Sequence, residues 1–416
     1  MAVLESTARE AVASACEEVR DATDADAVDG VVPALVARPS STEQVGEVMR
    51  AAAAHGLTVV PRGGGTKMSW GLPPVSTDLL LDLGGLDRVL DHAAGDLVVA
   101  TQAGARMAAV QQTLAGARQR LALDETVPGA TIGGTLATNA SGPGRMLTGT
   151  ARDLLIGVTV VRADGVVAKA GGRVVKNVAG YDLGKLVIGS LGTLAVVTEA
   201  LFRLHPVAEA RRWVGVETSV ATPDGPAGVQ RLVQAVVHAQ AVPSAVEVDQ
   251  PAAGGGRLGV LLEGRRDGVE QRAATVAALL GRGATIEEEP PPGWASYPWQ
   301  EADVALKLTF VLTGLGDVLA AARDVGADLR GSAGTGVAYA ALPGDLPTDR
   351  LAAAVETMRS ACARQRGHAV VVDAPAEVKG AVDVWGPVPG VGLMRRVKDQ
   401  FDPEHRLSPG RFVGGI

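Results

Sequence analysis

Cysteine is nearly absent from this 416-residue chain: Cys16 and Cys362 are the only two. An iron–sulfur cluster or a four-cysteine zinc site needs more thiolates, so both are excluded. A disulfide between the two stays open, although a reducing cytoplasm is the simpler setting. No apolar run reaches the roughly 18 residues a membrane helix requires, so no transmembrane segment is expected. The stretch Met1 to Glu10 carries acid and has no apolar centre, so it does not read as a signal peptide. Aromatic residues make up only 3% of the chain, a scarcity that singles out no function. Positive charge is also short, and a net charge of −7 argues against a nucleic-acid partner. The histidines are His55, His92, His205, His238, His368 and His405. None is spaced as in a helical H-E-x-x-H pair, so no metal is expected. What remains is an ordinary globular composition, long enough for two domains each with a substantial core.

Glycine is abundant, and it is concentrated. Three segments stand out in the first half: Pro61-Arg-Gly-Gly-Gly-Thr66, Pro128-Gly-Ala-Thr-Ile-Gly-Gly134, and Lys176-Asn-Val-Ala-Gly-Tyr-Asp-Leu-Gly-Lys185 running on to Gly189-Ser-Leu-Gly-Thr193. Gly63 to Gly65 alone is as readily a tight turn as a phosphate cradle. Three such stretches beside short apolar strands point instead to one extended ligand held by backbone amides, and a dinucleotide, whose pyrophosphate needs several N–H donors, fits.

The surrounding pattern places these loops. Residues 1–30 read as a helix ending in an acidic turn from Asp21 to Gly30. Ser41 to Gln44 reads as a capping box, followed by Val45, Val48, Met49 and Ala52 at helical spacing and Gly56 as a stop. Leu57 to Val60 is a strand delivering the first glycine loop. The Rossmann fingerprint has its glycines between a strand and the helix they open, but Met68 to Pro74 does not read as a helix. A dinucleotide here would not be held in the Rossmann manner. Strands are expected at Leu79–Leu83, Leu97–Thr101 and Leu194–Leu204, a helix at Gly104–Leu114, and a hairpin over Leu154–Ala168 turning at Asp164-Gly165. From about Arg211 the order strand–helix–strand–strand–helix–strand suits a small α+β sandwich, with further strands at Val304–Phe310 and His368–Val372 and a helix at Thr348–Arg366. No internal repeat is visible. Met394 to Phe401 is a basic helix whose Arg395, Arg396 and Lys398 read as a solvated face or a partner contact.

Pro61 to Thr66, Pro128 to Asn139, Lys176 to Thr198 and Phe401-Asp-Pro with Ser408-Pro-Gly-Arg-Phe412 together resemble the vanillyl-alcohol oxidase / p-cresol methylhydroxylase (PCMH-type) family of FAD enzymes. Within it the third segment is similar to the E subunit of bacterial glycolate oxidase. The D subunit usually has Glu where this chain has Leu191. The resemblance implies an α+β fold: a two-part PCMH-type FAD-binding domain over 1–207, an α+β cap over 208–375, and a segment over 376–416 returning to the FAD domain. It implies that Pro61, Arg62, Gly63, Gly64, Gly65 and Thr66 wrap the pyrophosphate. Pro128, Gly129, Ala130, Thr131, Gly133 and Gly134 would run beside the flavin and ribityl chain. Gly189, Gly192, Thr193 and Val197 would line the adenosine or ribityl side. Relatives that attach flavin covalently use a His just after the first glycines; Thr66 stands there, so non-covalent FAD is expected. Relatives often have Asn before the tail Pro-Gly, where this chain has Ser408.

The function so implied is that of an FAD-binding subunit in a glycolate-oxidase-type complex, passing hydride from a 2-hydroxy acid to flavin N5 and electrons onward. With no cluster ligands of its own, the chain would need a separate iron–sulfur subunit beside the catalytic D subunit. That setting is cytoplasmic, or peripheral at the inner membrane face through those partners. Two candidate catalytic residues follow from position. Lys307 lies on a cap strand and either binds a substrate carboxylate or is a rim lysine. His405 lies in the tail and is a candidate base. The other readings are an FAD-binding electron-relay or assembly subunit without turnover, and an autonomous alcohol or sugar-acid oxidase.

Overall fold

The computed structural model describes residues 4–173, 182–222 and 224–416. Lys176 to Tyr181 lie outside them. The chain forms two compact units, one of residues 1–140, 150–207 and 388–416, the other of residues 141–149 and 208–387.

The first unit holds two sheets. β1 (Val19–Asp21), β2 (Leu35–Ala37), β3 (Val59–Arg62) and β4 (Leu79–Asp82) form one, in the order β1-β2-β4-β3, with β2, β4 and β3 parallel. β5 (Val89–Ala93), β6 (Val98–Gln102), β8 (Leu155–Val161), β9 (Val167–Gly171) and β10 (Val196–Arg203) form the other, in the antiparallel order β5-β6-β10-β8-β9. A two-residue ladder joins β7 (Gln119–Arg120) to β11 (His205–Pro206).

The expected N-terminal helix is only Ser6–Ala15; residues Val19–Asp21 pair antiparallel with Leu35–Ala37 instead. Sheet pairing overrides local propensity there. At Ser41 half of the capping box forms. The Ser41 hydroxyl accepts from Gln44 N–H at 3.2 Å, but the Gln44 side chain accepts from Ser40 N–H at 2.9 Å, one residue early. The helix Thr42–Ala54 buries Val45, Val48, Met49 and Ala52 against Leu79 and Leu81, as its spacing predicts.

The C-terminal tail extends the parallel sheet. Val59 N–H donates to Arg406 O at 2.8 Å and Ser408 N–H donates to Val59 O at 2.9 Å. Leu407 is fully buried in the same core as Val59. One lysine secures this return. Lys398, on the helix Val391–Phe401, is fully buried and donates to Asp402 Oδ2 at 2.7 Å, Thr193 O at 2.7 Å and Leu407 O at 2.9 Å. Asp402 in turn accepts from Arg406 N–H and Leu407 N–H. The reading of Lys398 as part of a basic surface is therefore corrected. It lies on the inward stripe of an amphipathic helix, and its three donors all find acceptors.

The second unit is built on one eight-stranded antiparallel sheet. Its strands are β12 (Ala210–Thr218), β13 (Ala245–Gln250), β14 (Gly256–Gly264), β15 (Thr285–Glu287), β16 (Val304–Thr309), β17 (Asp328–Ser332), β18 (Val337–Leu342) and β19 (Ala369–Asp373). Their order is β15-β12-β14-β13-β17-β18-β16-β19. The expected strand–helix–strand–strand–helix–strand pattern occurs twice. Its second copy uses the helices Leu315–Val325 and Thr348–Arg364, and the two halves join through β13 and β17. This is a repeat of topology that no residue pattern announces. On one face Val214, Val216, Val246, Leu258 and Val260 are buried. The other face carries Asp249, Arg330, Tyr339 and Lys307, which are successive cross-strand partners and so project to the same side.

Replacing Lys398 by Met strands a buried carboxylate and should cost about 3–5 kcal/mol, read as a lower urea midpoint; Lys398→Met with Asp402→Leu should recover most of it. Both cysteines are free and buried, and burial pushes both thiols up, Cys362 to about 11. Neither should react with a disulfide reagent at about pH 8 until the chain is unfolded, when both should.

Candidate active site

The first glycine loop leaves β3 at Arg62, and its position is set by ion pairs. Arg62 Nη1 meets Asp26 Oδ1 at 3.1 Å and Nη2 meets Asp82 Oδ2 at 2.9 Å. Arg20 holds Asp26 from the other side at 2.7 Å. These contacts, with the Arg20 hydrogen bond the largest, hold the Asp26 carboxyl well below the usual carboxylate range. The Arg62 side chain thus ties down the base of the loop and leaves the amides of Gly63 to Thr66 for a ligand.

The loop lies directly against the second segment. A Cβ on Gly64 would stand 2.3 Å from Gly129 O, and one on Gly63 would stand 2.2 Å from Thr131 Oγ1. No residue with a side chain fits at either place without moving backbone or a buried hydroxyl. Thr131 caps the short helix Ile132–Thr138, its Oγ1 accepting from Gly134 N–H at 3.3 Å. Glu125 Oε1 accepts from Gly129 N–H at 2.8 Å and Ala130 N–H at 3.1 Å, fixing the turn before it.

Between these walls is a cavity that opens to solvent. Of the residues expected to bind cofactor, Pro61, Gly63, Gly64, Gly65, Thr66, Thr131, Gly133, Gly134, Gly192 and Val197 line it. Arg62, Pro128, Gly129, Ala130, Gly189 and Thr193 do not. Arg62 is engaged with Asp26 and Asp82, Ala130 is buried beneath the loop, and Thr193 is buried with its hydroxyl on Ser190 O at 2.7 Å.

Other lining residues carry no signal in the sequence: Lys67, Met68, Leu83, Ala103, Ala137 and Thr138. Leu191 also lines the cavity, at φ 52°, a left-handed conformation that costs a non-glycine residue about 1–2 kcal/mol. Arg411, from the tail, completes the wall. Its guanidinium donates to Met68 O and, at 2.8 Å, to Trp70 O. Ser408 is fully buried behind it, and its hydroxyl has no hydrogen-bond partner among the described residues. The charge in the cavity is positive. Burial lowers Lys67 to about 8 and Arg411 to about 10.

The two candidate catalytic residues are not on this lining. His405 is exposed, with Nε2 at 2.8 Å from Asp399 Oδ1. Lys307 belongs to the second unit, part-buried on β16 opposite Tyr339 and Val370. Tyr339 also accepts from Arg145 Nη2 at 3.4 Å, and Tyr297 stands edge-on to it while stacking on Trp299 at 4.3 Å. Lys307 therefore shares its face with an aromatic cluster and a second cation. Among the described residues no three His, Cys, Asp or Glu side chains are grouped to hold a metal.

A glycine cradle against a buried cationic wall defines a nucleotide-cofactor domain, and comparison with known proteins gives it a family. Residues 33–171 match the family described as FAD binding domain. Those residues form an FAD-binding domain, and FAD is the cofactor of the chain. It is 34% identical over 174 residues to an FAD-linked oxidoreductase of Mycobacterium tuberculosis, covering 42% of this chain and 38% of that one. It is 30% identical over 222 residues to the glycolate oxidase subunit GlcD of Bacillus subtilis, covering 53% and 46%. It is 38% identical over 173 residues to D-2-hydroxyglutarate dehydrogenase of Xanthomonas citri, covering 41% and 37%. The matches span less than half the length of these relatives. In fold the chain is similar to 4-ethylphenol oxidase from Gulosibacter chungangensis, with a TM-score of 0.74 at 15% identity over 97% of this chain and 96% of that one. It is also similar to an alkyldihydroxyacetonephosphate synthase, with a TM-score of 0.75 at 16% identity over 99% and 86%. The expected PCMH-type α+β fold is present.

Gly64→Ala should force the loop off Gly129 at a cost of about 1–3 kcal/mol. Gly64→Asp adds a carboxylate at the same place. Both variants should purify folded but colourless, measured as flavin absorbance per folded chain; a yellow Gly64→Asp protein would remove this loop from the cofactor site.

Proposed function

We propose that this chain is the FAD-binding subunit of a glycolate-oxidase-type 2-hydroxy-acid dehydrogenase complex, working beside a D-type catalytic subunit and an iron–sulfur subunit. The observation that carries the cofactor side of this reading is the cavity between Gly63–Thr66 and Thr131–Gly134, with Lys67 and Arg411 in its wall. Backbone amides and cations in a site too close for side chains suit a pyrophosphate. Bound FAD supplies a two-electron acceptor for the hydrogen on the hydroxyl-bearing carbon of the substrate. The substrate class comes from the relatives, among them a glycolate oxidase subunit, a D-2-hydroxyglutarate dehydrogenase and a D-lactate dehydrogenase of Archaeoglobus fulgidus.

This chain's own residues have these assigned parts. The first two glycine segments, with Gly189, Gly192, Thr193 and Val197, frame the cofactor. Lys307 holds a substrate carboxylate, its charge reinforced by Arg145 across Tyr339. His405 is the assigned base. One observation favours the relay or assembly reading without turnover: the His405 ring faces Asp399 and is exposed, rather than turned to the cavity. Electrons would leave to the iron–sulfur subunit in either case. No helix among the described residues is long and apolar enough to cross a membrane, and we place the protein in the cytoplasm or held peripherally through its partners.

The discriminating measurement is the visible spectrum of the purified chain under anaerobic glycolate or D-lactate. Bleaching in the isolated chain establishes its own turnover, and Lys307→Ala should then raise KM more than it lowers kcat. A flavin that stays oxidised until the partner subunits are added establishes the relay role. Reoxidation by oxygen in a chain that bleaches alone would indicate an autonomous oxidase.

A further inference from the structure

Lys67 and Arg411 are both more than nine-tenths buried, at 9% and 4% exposure, and both line one cavity. Among the described residues neither has a carboxylate within ion-pair distance. Arg411 donates through Nη2 to the carbonyls of Met68 and Trp70, and its buried Nε has no hydrogen-bond partner among the described residues. Among the described residues the ammonium of Lys67 has only Thr66 Oγ1 at 3.5 Å and the face of Trp70 at 5.8 Å. Lys398 in the same unit is the useful contrast. It is buried as deeply, and every donor is met, one by a carboxylate. Leaving a buried ammonium unpaired is costly, and a protein keeps one where something else supplies the anion.

The other charges near Lys67 do not supply it. Glu125 acts on Lys67 only at a distance, and its Oε1 already accepts from the amides of Gly129 and Ala130. Arg106, at the rim, is a further cation, donating to Gly129 O. Asp29 acts on Arg411 rather than on Lys67. Lys67 directly follows the loop Gly63–Thr66, whose amides are the neutral part of an anion cradle.

We infer that Lys67, assisted by Arg411, is the counter-charge of the cofactor pyrophosphate, and that its protonation controls how tightly the cofactor is held. This rests on the FAD reading above. Burial lowers the ammonium of Lys67 to about 8 in the cofactor-free protein, and an anion beside it raises that value. The ligand therefore binds best where Lys67 is charged, and affinity falls as pH rises through and above about 8.

The test is the dissociation constant of FAD for the refilled apoprotein between pH 7 and pH 9, read by flavin fluorescence. In wild type it should weaken roughly tenfold over that span. Lys67→Met should weaken binding about tenfold or more at pH 7 and show a flat profile; Lys67→Arg should bind tightly with a flat profile. Apo Lys67→Met should also melt above apo wild type, because it removes an uncompensated buried charge, whereas a merely structural lysine would leave the variant less stable. ADP should reproduce the dependence on Lys67, and riboflavin, which lacks phosphate, should not. A flat wild-type profile in protein that binds FAD overturns the inference alone, as does a riboflavin response equal to that of FAD. Folded wild type that binds no FAD at any pH overturns the FAD reading itself.

Discussion

The buried pair of Lys398 and Asp402 is the contact on which the rest of the FAD unit depends. It joins three pieces of chain that are remote in sequence: the helix Val391–Phe401, the tail from Arg406 onward, and the turn that ends at Thr193. A lysine placed there must find three acceptors at once or bear the full cost of desolvation. Because it finds them, the tail runs beside β3 with Leu407 in the core, and Arg411 is delivered to the wall of the cavity. The glycine loop starts from the same strand. The tail and the glycine loop are thus both anchored on β3.

Two arrangements of charge divide the labour in this unit. Arg62, Asp26, Asp82 and Arg20 are a closed network that satisfies itself and fixes the base of the loop. Lys67 and Arg411 are left with neutral oxygens and a ring face, so the cavity is electrostatically incomplete without an anion. Leu191, held at positive φ on the same lining, adds a second departure from local preference.

Much of the scaffold was legible because its signals are local. The spacing of Val45, Val48, Met49 and Ala52 marks a helix, Gly56 its end, and Asp164-Gly165 a hairpin; each is where the pattern put it. The helix expected over residues 1–30 was too long, since the pairing of Val19–Asp21 with Leu35–Ala37 is a contact no local window contains. The doubled topology of the second unit was invisible for a related reason. Two halves can share strand order without sharing residues, because a sheet constrains alternation and not identity.

The sequence by itself determined the chemistry on offer: glycines where a backbone must approach a ligand, too few cysteines for a cluster, and a family resemblance strong enough to name FAD. Which side chains face the ligand was decided only by tertiary structure. Arg62 and Lys67 flank the same glycines and look interchangeable as text, yet one is spent on two carboxylates and the other is held in the cavity without one. Lys398 looked like a surface charge and is fully buried. The physical reason is the same in each case. A charged side chain's role is set by the partners within a few ångströms, and those partners come from distant parts of the chain.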